Sequence, residues 1–337
     1  MRLIVTLIVA LSLSCTTAHA QSFQMLGAGA SFPAPLVMAM ADEYRSATNG
    51  AVTINYQSIG SSSGIRQFLE QTVAFGATEA LPPTHQLEQL LEHTGSDALA
   101  LPITVGDVVA IYHLPNITTS LIFDHSLLAS IFLGDITRWN DPAIAVLNPE
   151  VALPDLPIHV VHRADGSGST NIWTEYLSTG HSAWETRVGI GTAVDWPVGL
   201  GAQGNEGVAG VVSNTPGAIG YTSLAYAKLS NLPYAALMNE AGEAVLPDVA
   251  AIHGYPATGY TWVLVYEKLE VNRAIHSAAE AAALVGFLAW AFTDGQALAP
   301  LLHFAPLPVD VQQANLAALR TLTYEGEPVE VFHAATD

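Results

Sequence analysis

The sequence predicts an α/β fold with mainly parallel sheets. Apolar, β-branched runs that are typical of strands alternate with amphipathic or alanine-rich stretches that are typical of helices, from one end of the chain to the other. This alternation favours parallel pairing, because a parallel pair of strands needs a crossover segment, which is usually a helix. The chain has 337 residues and 50% of them are hydrophobic, so it is long enough to form two domains of ordinary size.

In the N-terminal half, small and polar residues separate the predicted elements. Residues 51–57 alternate between apolar and polar side chains as a half-buried strand does, and Ser31 and Pro33 are start signals for the first helix. In chain order we predict a strand over 23–30, a helix over 31–47, a strand over 51–57, a turn over 60–64, a helix over 65–73, strands over 74–79 and 99–113, and a helix over 124–133.

The C-terminal half continues the alternation and contains a glycine-rich stretch. Within that stretch, Gly199–Gly204 matches the Gly-x-Gly-x-x-Gly pattern of dinucleotide-binding folds, but it lacks a convincing acidic residue about 20 positions further on, so we predict a structural loop. We predict a strand over 158–161, a helix over 171–177, a loop over 198–210, strands over 217–221 and 258–266, and helices over 278–293 and 309–322.

The first 20 residues predict a secretory signal peptide. Arg2 supplies a positive charge, Leu3–Leu13 is an apolar run too short to span a bilayer comfortably, and Ala18–Ala20 has the small-x-small pattern of a cleavage site. We therefore expect an exported protein whose mature chain begins at Gln21. The alternative is a lipoprotein anchored through Cys15, although the residues before Cys15 fit that signal poorly.

Charge and cysteine content argue against several classes of function. The chain has ten Lys and Arg residues and thirty Asp and Glu residues, for a net charge of −20, which argues against binding nucleic acid or an anionic membrane through a basic face. Cys15 is the single cysteine, so no intrachain disulfide can form. The twelve histidines are scattered without the close pairs that metal sites use, so no metal centre is expected.

Three turns share one pattern, in which a strand leads into small, hydroxylated residues and then a helix: Ala30–Phe32, Gly60–Ser62 and Ser167–Ser169. Ligands of open α/β sheets bind at the carboxyl ends of strands, and the N–H groups at a helix start favour anions. Arg163 and Glu79 lie at comparable strand ends, and a guanidinium suits a tetrahedral oxyanion. The pattern predicts an oxyanion site, although the turn at Arg163 taken alone also fits an ordinary capped helix with a surface arginine.

Seven motifs resemble those of the periplasmic phosphate-binding protein of the bacterial phosphate ABC transporter, in order along nearly the whole mature chain. They are GAGASFPAP (27–35), IGSSSG (59–64), FGATE (75–79), GDITRWND (134–141), RADGSGST (163–170), WPVGLG (196–201) and PGAIGY (216–221). The resemblance implies a two-domain periplasmic solute-binding protein of type II whose crossover strands form a hinge. It implies domain I over 21–103 and 258–337, and domain II over 104–257.

The resemblance also implies what the protein does and where. The domains would close on inorganic phosphate without a metal or other cofactor, and the chain would perform no chemistry on it. The partner would be the membrane ABC permease of the phosphate transporter, and the protein would be a periplasmic monomer. The implied ligand-binding residues are Ser31, Phe32 through its backbone N–H, Ser61, Glu79, Arg163, Ser167, Gly168 and Ser169, with Asp165 orienting Arg163.

The acidic residue of this set has a clear physical role. Phosphate keeps at least one proton at neutral pH and can donate it in a hydrogen bond to Glu79, whereas sulfate would meet a like charge with no hydrogen bond. The family usually has aspartate at this position, so Glu79 is an acceptor that is longer by one methylene. Arsenate is nearly isosteric with phosphate and also protonated, so it stays open as a ligand.

A hydrolase is the alternative from a different class. Gly60–Gly64 fits the Gly-x-Ser-x-Gly nucleophile elbow in a strand-turn-helix context, which would make Ser62 a nucleophile. His253 and His303 are candidates for its general base. A five-residue pattern of serine and glycine is weak support for an exported serine hydrolase, and the wider resemblance assigns the neighbouring Ser61 to an anion.

Overall fold

The computed structural model describes residues 22–247 and 254–332. The predicted signal peptide, Cys15 and His253 lie outside the described residues, as does the end of the chain from 333 to 337.

Strands and helices alternate along the described chain. The strands are β1 (Phe23–Gly29), β2 (Val52–Ser58), β3 (Phe75–Thr78), β4 (Ala98–Tyr112), β5 (Ile122–Phe123), β6 (His159–Arg163), β7 (Leu200–Ala202), β8 (Ala218–Ser223), β9 (Ala236–Met238), β10 (Ala244–Val245), β11 (Thr258–Tyr266), β12 (Thr323–Tyr324) and β13 (Glu327–Pro328). The α-helices are α1 (Ala34–Ala47), α2 (Ser61–Leu69), α3 (Thr84–Thr94), α4 (His125–Leu133), α5 (Pro142–Leu147), α6 (Gly168–Ser178), α7 (Ser182–Arg187), α8 (Gly204–Asn214), α9 (Leu224–Leu229), α10 (Ala278–Ala291) and α11 (Val309–Leu319). Short 3-10 helices cover Leu269–Val271, Asp294–Leu298 and Pro300–Leu302.

An eight-stranded sheet organises the molecule, in the order β2-β1-β3-β11-β4-β8-β6-β7. The long strand β4 changes partner along its length, because its first part, through Asp107, pairs with β11 and its second part, from Val108, pairs with β8. We call β2-β1-β3-β11 and the first part of β4 the first half-sheet, and the second part of β4 with β8-β6-β7 the second half-sheet. The chain returns to the first half-sheet beside Val108, whose N–H donates to the carbonyl of Ala257.

The strand directions bring the carboxyl ends of the two half-sheets face to face. β1, β2 and β3 run parallel to one another and in the direction of β4, since β11 is antiparallel to both β3 and β4. β6, β7 and β8 are parallel to one another and antiparallel to β4. Because β4 runs from the first half-sheet into the second, both sets of strands end at the boundary between them. This boundary is where an open α/β sheet binds its ligand.

The predicted α/β class and mainly parallel pairing are confirmed, with antiparallel pairs only where β11 and β4 meet their neighbours in the large sheet. Three local predictions are wrong. Ser61–Gly64 is the first turn of α2 rather than a loop, with Gly60 at the N-cap. The stretch 198–210 contains β7 and the start of α8. Ser31 does not cap α1, which begins after Pro33 without a side-chain cap.

A contiguous apolar core extends under both half-sheets, and a smaller cluster that includes Phe68 and Tyr266 lies between α2 and β11. Core packing accounts for the alanine-rich helix α10, whose residues are largely buried. Among the described residues no single helix is long and apolar enough to cross a membrane. One bent pair, α10 with the 3-10 helices over 294–302, is long and apolar enough only when its two members are taken together.

Candidate functional site

The first half-sheet brings four predicted residues to the boundary. Ser31 and Phe32 follow β1, Ser61 begins α2 after β2, and Glu79 follows β3 directly. All of them are buried, with Glu79 9% exposed. β1 and β3 end in residues that pack in the interior, so the polar groups that follow them directly lie in a setting with little water.

The second half-sheet brings the cation and two helix starts to the same boundary. β6 ends at Arg163, and the turn after it leads to Ser167, the N-cap of α6, whose first residues are Gly168 and Ser169. The guanidinium of Arg163 is buried, with the residue only 3% exposed. β7 leads through a second turn into α8, which begins at Gly204. Two helix N-termini and one arginine therefore point positive charge at the boundary.

The Glu79 carboxylate lies at the contact between the half-sheets. Ser61 Oγ donates to Glu79 Oε2 at 3.0 Å, and Thr261 Oγ1 on β11 donates to Oε1 at 3.2 Å. The backbone N–H of Gly168 donates to Ser61 Oγ at 2.9 Å. A Cβ at Gly168 would overlap the carboxylate of Glu79, so only glycine permits the helix start to approach this closely.

Burial raises the pKa of Glu79 from an ordinary value of 4.5 to about 7. The hydrogen bond from Ser61, the charge of Arg163 and the hydrogen bond from Thr261 favour the ionised form but offset only part of this effect. Near neutral pH the Glu79 carboxyl is therefore present in both its protonated and its ionised form. In its ionised form it is an acceptor that faces buried donors, which suits a ligand that carries both a negative charge and a proton.

The raised pKa of Glu79 makes stability depend on pH. The folded protein binds this proton more tightly than the unfolded chain, so stability falls as pH rises from about 4.5 to about 7, by roughly 3 kcal/mol for the shift involved. Glu79→Gln removes the ionisable group, so without phosphate we expect it to exceed the wild type in stability by up to about 3 kcal/mol at pH 8 and to match it near pH 5. Urea unfolding of both proteins at the two pH values measures this, and an equal difference at both would contradict the raised pKa.

Asp165 holds the Arg163 guanidinium in a fixed orientation. Arg163 Nε donates to Asp165 Oδ1 at 2.8 Å, and Nη2 donates to Oδ2. The N–H of Gly204 also donates to Asp165 Oδ1, at 3.0 Å. Burial alone would raise the pKa of Asp165, but the hydrogen bonds and charge of Arg163 and the Gly204 N–H together lower it. Asp165 is therefore a stable anion, and its two hydrogen bonds set the plane of the guanidinium.

Two predicted serines meet at one asparagine of α8. The backbone N–H and the side-chain Nδ2 of Asn205 donate to Ser31 Oγ at 3.0 and 2.9 Å. Nδ2 also donates to Ser169 Oγ at 3.2 Å. Ser31 belongs to the first half-sheet and Ser169 to the second, so Asn205 joins hydroxyls that are far apart in the sequence.

Phe32 and Ser167 take different positions at the boundary. The ring of Phe32 packs edge-on against Phe304, with 5.7 Å between ring centroids, and no described residue accepts a hydrogen bond from its backbone N–H. Ser167 caps α6, since its Oγ accepts from the N–H of Thr170 at 3.2 Å. The Ser167 hydroxyl can still donate its own proton to another acceptor. The structure therefore brings all eight predicted ligand-binding residues to the one boundary.

The hydrolase alternative finds no support in this arrangement. Ser62 Oγ donates to Thr192 Oγ1 at 3.3 Å, and no histidine within residues 22–247 and 254–332 forms a hydrogen bond with Ser62. The described histidine candidate, His303, follows a 3-10 helix near the other end of the chain. In the described part of the chain no group of three or more His, Cys, Asp or Glu side chains is placed to hold a metal ion.

Three further residues support the site and were not singled out from the sequence. Thr261 contacts Glu79, Asn205 contacts Ser31 and Ser169, and the Tyr221 hydroxyl accepts from the N–H of Arg163 at 3.2 Å. Tyr221 lies in the motif PGAIGY, and Asn205 lies four residues after the motif WPVGLG. Proximity to those motifs was a usable signal for Asn205, whereas nothing in the apolar strand β11 marked Thr261.

Comparison with known proteins places the chain in a family. The model of the PBP superfamily domain matches residues 16–294, so the chain belongs to the PBP superfamily. Within it, the chain belongs to the phosphate-binding PstS proteins: it is 38% identical over 330 residues to the phosphate-binding protein PstS of Pasteurella multocida, covering 89% of this chain and 91% of that one. The family that the seven motifs indicate is therefore confirmed.

Solved structures agree on the fold. A high-affinity periplasmic phosphate-binding protein, PfluDING, solved with phosphate bound, superposes with a TM-score of 0.71 at 16% identity, covering 92% of this chain and 96% of that one. The phosphate-binding protein from Stenotrophomonas maltophilia gives a TM-score of 0.66 at 17% identity, with coverages of 88% and 94%. The predicted fold class is confirmed by the family match together with these superpositions.

Proposed function

We propose that this chain is an exported binding protein that captures inorganic phosphate between its two half-sheets and delivers it to a membrane ABC permease. Its relatives carry the name of phosphate-binding proteins, and they are binding proteins rather than enzymes. The observation that carries the proposal is the buried Glu79 acceptor set among donors from both half-sheets. Only a ligand that is both an anion and a hydrogen-bond donor satisfies that combination.

The proposed ligand contacts follow from the site. Ser31, Phe32, Ser61, Ser167, Gly168 and Ser169 donate to phosphate oxygens, Arg163 adds a charged contact, and Glu79 accepts the phosphate proton. In this structure Ser61 donates to Glu79 and accepts from the backbone N–H of Gly168. A single serine hydroxyl therefore separates the proton acceptor from the N-terminus of α6. A buried, prearranged set of donors binds an oxyanion despite the negative surface, because the surface charge is screened by salt.

The proposed domains follow the two half-sheets. Domain I comprises residues 21–103 and 258–337, and domain II comprises residues 104–257. On β4 the partner changes after Asp107, a few residues beyond this boundary, so β4 and the segment before β11 are the two crossovers about which the domains would close. The signal peptide over 1–20 would direct export. The mature monomer in the periplasm would then deliver captured ligand to the permease.

Calorimetric titration of the mature chain with phosphate, arsenate and sulfate tests the proposed function. We expect one phosphate per chain, arsenate in the same site, and sulfate weaker by at least about 1,000-fold, which corresponds to roughly 4 kcal/mol. The acceptor Glu79 is the reason, because sulfate offers it no proton. Sulfate binding as tight as phosphate, or no heat with phosphate after removal of any carried-over ligand, would overturn the proposal.

A further inference from the structure

We propose that Asn205 sets the direction of the hydroxyl protons of Ser31 and Ser169, so that both serines donate to the bound anion. This inference rests on the proposed phosphate function and deepens it. Asn205 is a positioning residue in this scheme. It does not touch the ligand. By making the two serines donors, it determines that they bind ligand atoms that accept hydrogen bonds.

The hydrogen bonds that Ser31 accepts determine where its own proton can go. A serine hydroxyl has one proton to donate and two lone pairs to accept with. The backbone N–H and Nδ2 of Asn205 both donate to Ser31 Oγ, at 3.0 and 2.9 Å. Both lone pairs are therefore occupied, so the single proton of Ser31 must be offered to another acceptor.

Contacts at the end of β8 fix the orientation of the Asn205 amide. The N–H of Ser223 donates to Asn205 Oδ1 at 3.1 Å, and a backbone N–H can only donate, so the atom that it meets must be the amide oxygen. Thr222 Oγ1 lies 3.1 Å from the same oxygen and donates to it. The end of β8 therefore fixes Nδ2 on the side of the two serines, where its two protons serve Ser31 and Ser169.

The site as a whole has a defined set of donors and one acceptor. Asn205 is fully buried, so no water competes for its amide protons. Ser31 and Ser169 are then donors toward the ligand. Ser61, which here donates to the ionised Glu79, turns its proton to a phosphate oxygen when the phosphate proton takes its place at the carboxylate. The two serines thus face the ligand as fixed donors, and Glu79 faces it as the acceptor. This division fits an oxyanion with one proton and excludes a ligand that offers only donors.

The arrangement also links the two half-sheets. Asn205, Ser169 and β8 belong to the second half-sheet and Ser31 to the first, so the contacts of Asn205 to Ser31 form only when the halves meet. The closed arrangement and the donor polarity of Ser31 are therefore established in one step. An open arrangement would leave the Ser31 hydroxyl without these two donors.

The test replaces the amide by a carboxylate of the same shape. In Asn205→Asp the ionised side chain accepts from Ser31 and Ser169 and withdraws their protons from the anion. We expect phosphate affinity at pH 8 to fall at least about 100-fold and to recover in part as pH falls, because a protonated carboxyl can again donate. Asn205→Ala, which keeps the backbone N–H, is expected to lose about tenfold without that pH dependence.

The matched control is Gln203→Glu, which adds the same charge two residues away on the exposed N-cap of α8. It is expected to stay within about threefold of the wild type. Calorimetry with inorganic phosphate from pH 5.5 to 8 (about the range over which a carboxyl of raised pKa titrates) and thermal unfolding of each variant are the measurements. If both Asn205 variants bind phosphate as the wild type does, or if Asn205→Asp loses affinity equally at every pH, the inference is overturned. Failure of the wild type to bind phosphate would instead refute the proposed function.

Discussion

Replacing Glu79 by glutamine is expected to remove most of the preference for phosphate over sulfate. The amide keeps the size and shape of the side chain. Its oxygen still accepts from one of Ser61 and Thr261, while its NH2 group donates to the other hydroxyl. It carries no charge to repel a fully ionised anion. Phosphate loses a charged acceptor for its proton, which is worth about 1.5–3 kcal/mol for a hydrogen bond to a charged group. Sulfate gains a neutral partner in place of a buried like charge. We expect the ratio of the two affinities to fall by about 100-fold or more.

The measurement is a pair of calorimetric titrations, with phosphate and with sulfate, at pH 8 on wild type and variant. Glu70→Gln is the matched control, because Glu70 is exposed at the end of α2 and the substitution removes the same charge from the same half-sheet. It should leave both affinities unchanged. The wild type itself should discriminate less at pH 6 than at pH 8, since burial raises the pKa of Glu79 to about 7 and a protonated Glu79 can donate to sulfate. An unchanged affinity ratio in Glu79→Gln would remove Glu79 from the site.

Replacing Arg163 by alanine is expected to have the largest effect on affinity. The substitution removes a buried guanidinium that donates two hydrogen bonds to Asp165, and it leaves the Asp165 carboxylate facing an incoming anion. Truncating one member of a buried, hydrogen-bonded charge pair costs about 2–5 kcal/mol. Phosphate affinity should therefore fall by roughly 30- to 5,000-fold. Thermal unfolding of the variant, recorded without ligand, separates this loss from a loss of folding.

Arg138→Ala provides the comparison. Arg138 and Asp155 form a second arginine–aspartate pair, but their side chains are 48% and 68% exposed, and exposed pairs contribute about 1 kcal/mol or less. We expect phosphate titrations of Arg138→Ala to match the wild type. If the two arginine variants lose affinity equally, the loss comes from overall charge, and Arg163 has no special contact with the ligand.

The sequence could predict the strands and the turns that carry the site because these signals are local. Strands lead into small, hydroxylated residues at Ser31 and Ser61, and Glu79 and Arg163 lie at comparable strand ends. Parallel pairing brings such ends to one edge. The sequence pattern therefore predicts that these residues lie together, and the structure has them at the boundary between the half-sheets. The structure adds that Ser61 meets both Glu79 and the start of α6.

Two features could not be predicted, for physical reasons. Glycine and serine lower helix propensity, so the start of α2 and the stretch around Gly204 were predicted as turn and loop, and packing in the folded chain overrides that preference. The contact of Asn205 with Ser31 spans 174 positions, and that of Thr261 with Glu79 spans 182. Such contacts depend on how the half-sheets meet, which no local pattern reports.

The most direct measurement is a crystal structure of the mature protein grown with phosphate. We expect the anion between the half-sheets, with its oxygens about 2.6–3.2 Å from the Ser31, Ser61 and Ser169 hydroxyls and from the Arg163 guanidinium. One further short contact should join a phosphate oxygen to Glu79. A phosphate bound elsewhere, or one whose nearest neighbours exclude both Glu79 and Arg163, would contradict the account.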